Sequence, residues 1–80
     1  MASQERQVMV GHIESMLEAM ENDVKYTKER DIEITSYDIE LLINNRNIFR
    51  EMKKNGTTIN ELNWLFDDVK MLHDSWKFNA

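Results

Sequence analysis

The chain has 80 residues, with 15 Asp and Glu against 10 Lys and Arg for a formal charge of -5, two glycines, and neither proline nor cysteine. That length allows one domain, residues 1–80, with a small core. The missing cysteines exclude a disulfide framework and a thiolate metal site, and the acidic balance disfavours a nucleic-acid binder that works by phosphate neutralisation. An apolar content of 41% without proline points to a folded helical domain rather than a disordered tail. No apolar run approaches the ~18 residues of a membrane span, and MASQERQVMV lacks the charged and apolar regions of a secretory signal, so the expected setting is cytoplasmic, with no membrane contact.

The first predicted helix covers residues 4–30. Met9, Ile13, Met16, Leu17, Met20 and Val24 recur at steps of three and four, which gathers them on one face. Glu14, Glu18 and Glu21, then Lys25 and Lys28, are expected on the solvated side, with charge sign following the helix dipole and Glu21–Lys25 as an i,i+4 pair.

A second helix is predicted over 36–55. Thr35 and Asp38 have the spacing of a capping box, Ile34 and Ile39 that of a hydrophobic staple, and Gly56 can supply the left-handed C-terminal conformation. Tyr37, Leu41, Leu42, Ile48, Phe49 and Met52 form its expected inner face. Asn45 falls within that face, where it could fix register through a buried hydrogen bond or turn to the bundle edge. The outward side is expected to carry Arg46, Arg50, Lys53 and Lys54 around Ile39 and Ile43, a secondary binding face.

The third helix, 59–77, follows a second capping box, Thr58 to Glu61. Only Gly56 and Thr57 separate Asn55 from that cap, so helices two and three must fold back on each other. Leu62, Leu65, Phe66, Val69, Leu72, His73 and Trp76 make one contiguous stripe, sufficient for a core. The expected fold is all-α: a compact three-helix domain in which helices two and three form a tight antiparallel hairpin and helix one packs across them.

Three large residues remain outside the core stripe. Trp64, Met71 and Phe78 recur every seven residues on the opposite side of helix three, flanked by Asp67, Asp68 and Asp74, giving an apolar ridge with an acidic rim. The competing expectation is that helix three is central and helix one covers this ridge internally.

No arrangement of residues points to catalysis. His12 and Glu14 read H-x-E, but the paired cysteines of a zinc deaminase are missing; adjacent Asp67 and Asp68 diverge on a helix; no glycine-rich phosphate loop occurs. His73, on the apolar stripe, is expected to be a hydrogen-bonded core histidine. The sequence therefore implies no catalytic residue, cofactor or metal. It implies a small acidic non-enzymatic module that regulates or inhibits a larger protein through the Trp64 surface and self-associates as a homo-oligomer. Two alternatives come from other classes: a phage-type anti-defence inhibitor whose carboxylates mimic nucleic-acid phosphates, and a nucleic-acid binder using the basic face of helix two. The second is disfavoured because Asp67 and Asp68 would repel phosphates from the helix that follows the Gly56 turn.

Overall fold

A computed structural model describes residues 2–26, 36–76 and 78. Three helices account for almost all of them: α1 (Ala2–Tyr26), α2 (Ser36–Asn55) and α3 (Ile59–Ser75). The predicted stretch of helix one beyond residue 26, including Lys28, lies outside the described residues. So do Ile34 and Thr35, the expected staple and cap of helix two.

The α2–α3 turn is built as its sequence predicts. Gly56 adopts φ 83°, a conformation that disfavours side chains bearing Cβ, and its N–H donates to the Met52 carbonyl at 2.9 Å. Thr58 then caps α3: its hydroxyl accepts from the Glu61 N–H at 3.2 Å, while the Glu61 carboxylate accepts from the Thr58 N–H at 3.0 Å.

Side chains from all three helices fill one core: Ile13, Leu17 and Met20 of α1, Leu42 and Phe49 of α2, and Leu62, Leu65, Val69 and Leu72 of α3, with Trp76 beyond it. The helices lie side by side in a body of 44 × 20 × 18 Å, so α1 runs along the hairpin rather than across it. Its direction follows from named contacts. His12 meets Phe66 and Asp23 meets Trp76, which makes α1 parallel to α3; Glu21 meets Arg46 and Glu14 meets Lys53, which makes it antiparallel to α2. The bundle is up-down-up, and α3 makes its broadest contact with α1.

Several sequence-based placements change. Tyr37, expected on the inner face, is exposed. Helix three stops at Ser75 instead of residue 77, because Trp76 turns to extended backbone (φ -70°, ψ 133°) while its ring remains buried. His73 is half-buried rather than a core residue; its ring stands edge-on to Phe78 at 5.4 Å, with Nδ1 3.6 Å from Asp74.

Candidate interaction surface

Trp64 and Met71 lie about 20° apart around α3, seven residues apart in sequence. The core-forming side of that helix already carries Leu62, Leu65, Val69 and Leu72, so these two side chains lie off the core stripe, with Met71 bordering α2. Trp64 is 56% exposed and Met71 72% exposed. The competing expectation, that α1 buries the ridge, is overturned: α1 sits on the other side of α3, against Phe66 and Trp76.

Phe78 leaves the ridge. Its seven-residue spacing from Met71 places it there only if the helix continues, and the helix ends at Ser75. The Phe78 ring instead lies near His73 and Trp76, at 5.4 and 6.5 Å between centroids.

The acidic rim is uneven. Asp67 is exposed and Asp68 half-buried, and neither forms an ion pair among the described residues. Asp74 accepts a hydrogen bond from Lys70 at 2.9 Å, which with the nearby His73 holds its carboxyl below the usual aspartate range. The ridge is thus two apolar side chains bordered by two uncommitted carboxylates, with a third that is neutralised locally.

The expected basic face of α2 is divided: Ile39, Ile43, Arg46 and Arg50 line one open cavity of about 330 Å³ together with Glu21 and Lys25 of α1, while Lys53 reaches Glu14. Arg46 turns toward α1, where its guanidinium donates to both oxygens of Glu21 at 2.8 and 2.5 Å and to Glu14 at 2.7 Å. Lys53 reaches the other Glu14 oxygen at 3.2 Å. Both cations lie over the Phe49 ring, Lys53 at 4.8 Å and Arg46 at 5.9 Å from its centroid. The Arg46 hydrogen bond, opposed by partial burial and aided by Lys53, lowers the Glu14 pKa; hydrogen bonding to Glu21 first, and to Glu14, raises that of Arg46. Glu14 and Glu21 therefore face α2 across the helix seam and are only partly solvated.

Ile43, Arg50, Lys53 and Lys54 remain exposed, with Ile39 half-buried against the core. A signal for this cluster exists in the sequence. Arg46 and Lys53 are only about 40° and 20° from Leu42 on the helical wheel, nearer the Leu42–Phe49 line than Ile43 is. The carboxylates that receive them come from α1, 25 to 39 residues away.

The groove beside the ridge was not evident from sequence. Asp38, Leu41 and Asn45 of α2 face Asp68, Met71, Leu72 and Ser75 of α3 across an open cavity of about 360 Å³. Asn45, which lines it, is buried, and its carboxamide has no hydrogen-bond partner among the described residues, so of the two expectations for it the register-fixing hydrogen bond is not formed there.

Comparison of the chain with known protein families, with characterised proteins and with solved structures returns no significant match. Among the described residues, no helix is long and apolar enough to cross a membrane, and no group of three or more His, Asp or Glu side chains converges as metal ligands would.

Proposed function

We infer that this chain is a non-enzymatic interaction module that binds a larger protein partner through the exposed side of α3, regulating or inhibiting that partner by occupying its surface. The observation that carries this reading is the exposure of Trp64 and Met71, two large apolar side chains left in solvent about two turns apart along one side of a helix whose opposite side completes the core. Tryptophan and methionine are enriched in the buried centres of protein interfaces, and a fully desolvated anchor there is worth about 2 kcal/mol or more.

Self-association is the less well supported half of the reading. Two copies joined symmetrically across this ridge would set Asp67 and Asp68 of one against the same carboxylates of the other, a like-charge arrangement that disfavours the contact. Phosphate mimicry has weaker support too, since Asp74 is already engaged by Lys70 and the other two carboxylates are adjacent rather than spaced along a groove. Nucleic-acid binding through α2 would require Arg46 and Lys53 to abandon Glu14 and Glu21.

Parallel affinity capture from the native host with the wild-type chain and with a Trp64→Ala, Met71→Ala bait tests the reading. A protein retained by the first and lost by the second, with both baits equally helical by circular dichroism, is the expected result. Equal capture by both would place the interaction elsewhere.

A further inference from the structure

We propose that the α2–α3 groove beside Met71 is a receptor for a long cationic side chain, an arginine or lysine presented by a basic segment of the protein partner. The proposal rests on the interaction reading above and adds the chemistry of what is bound. Asn45 carries it: a residue only 8% exposed, whose carboxamide has no hydrogen-bond partner among the described residues, lining an open cavity. Burying an amide unsatisfied is unfavourable, and native structures seldom leave one so unless another molecule completes it.

The lining states which molecule. Leu41, Leu72 and the exposed Met71 provide apolar walls, while Asp68 and Asp38 place carboxylates at the rim. Ser75 does not compete for the floor, because its hydroxyl donates to the Leu72 carbonyl at 3.1 Å. An anion would meet two carboxylates. A purely apolar side chain would fit the walls but seal the Asn45 carboxamide away from water without a partner. A long cation meets the lining best: its aliphatic stem lies on Leu41, Met71 and Leu72, and its N–H groups donate to the Asn45 Oδ1 and to Asp68, leaving the Asn45 NH2 for an acceptor on the partner's backbone. Arginine suits the site better than lysine, since its planar fork can reach an amide oxygen and a carboxylate together.

Charge and position agree with this occupant. The whole chain carries a formal charge of -5, and the rim carboxylate on α3, Asp68, has no ion-pair partner among the described residues. Asp38 lies in the first turn of α2, where the helix dipole weakens its hold on a cation, which makes Asp68 the principal counter-charge. Met71 belongs to both ridge and groove, so a partner resting on Trp64 and Met71 has the groove within reach of its next side chain.

The test uses the isotopically labelled full chain titrated with Nα-acetyl-arginine amide, with the uncharged isostere Nα-acetyl-citrulline amide as control at matched ionic strength. Saturable shifts of the Asn45 side-chain NH2 and the Met71 methyl are expected with the arginine compound, with binding about tenfold weaker for citrulline, since the charge-assisted bonds are lost. Asp68→Asn should weaken binding several-fold while leaving the spectrum folded. Asn45→Leu should remain helical and lose the Met71 methyl response. No saturable shift at these two residues up to the solubility limit, or equal binding of the citrulline compound, overturns the proposal. A silent groove combined with partner capture that still depends on Trp64 sinks this inference alone; capture indifferent to Trp64 and Met71 sinks the interaction reading, whatever the groove binds.

Discussion

The indole Nε1 of Trp76 donates to Asp23 Oδ2 at 2.8 Å, joining the residue that ends α3 to the last turns of α1. The pair lets a tryptophan sit almost wholly buried without stranding its N–H. Trp76→Ala should destabilise the chain by about 3 to 5 kcal/mol, a large part of the roughly 5 to 15 kcal/mol available to a domain. Trp76→Phe, which keeps a ring but deletes the donor, should lose less. Urea midpoints of the two variants check the order, and equal losses would show that the hydrogen bond contributes nothing beyond the ring.

Trp64→Ala should behave in the opposite way. With more than half its surface already in water, its removal should change stability by no more than about 0.5 kcal/mol, while binding of the partner should weaken by about 2 kcal/mol or more. Paired thermal melts and partner titrations separate these effects. If Trp64→Ala unfolds as readily as Trp76→Ala, the ridge is part of the core.

The α1–α2 seam should give the chain an acid-sensitive step. Glu14 is held below the ordinary glutamate value of 4.5, first by the Arg46 hydrogen bond and then by Lys53. A carboxyl lowered on folding contributes stability that is complete above its unfolded pKa and disappears as pH falls through the lower folded value, so protonation below about pH 4.5 should loosen the seam. Both carboxylates stay more than a third exposed, at 37% for Glu14 and 36% for Glu21. Solvent screening therefore limits the whole cluster to about 1 kcal/mol. Arg46→Met should lower neutral-pH stability by about that amount and flatten the acid limb; an unchanged limb in chemical denaturation from pH 7 to 3 would assign it to other groups.

The turn between α2 and α3 offers two independent substitutions. Gly56→Ala meets no neighbouring atom, so its expected cost of about 1 to 2 kcal/mol comes from the positive φ alone. Thr58→Ala removes the cap on the Glu61 N–H and should cost about 1 kcal/mol. Because both act on one connection, the double variant is informative. A sum within a few tenths of a kcal/mol shows separate action, and a marked shortfall shows that the two residues hold the same turn.

Helix existence, the α2–α3 turn and most core residues were legible in sequence because they rest on local rules. Apolar spacing of three and four marks a buried face, Gly56 marks a left-handed residue, and Thr58 with Glu61 marks a cap; none of these depends on a distant segment. The outward position of Trp64 and Met71 was half-determined in the same way: periodicity places them opposite the core stripe, but their exposure required knowing which side of α3 receives α1. Tertiary structure alone decided the rest. Arg46 and Lys53 joined the seam because α1 brings Glu14 and Glu21 to them, a long-range charge match with no periodic signature. Phe78 left the ridge because the chain turns at Trp76, whose buried ring and bond to Asp23 end the helix before the seven-residue rule can place Phe78. Asn45 came to line a groove because α3 covers most of its surface yet presents Leu72 and Met71 beside it, which offer its carboxamide no hydrogen bond.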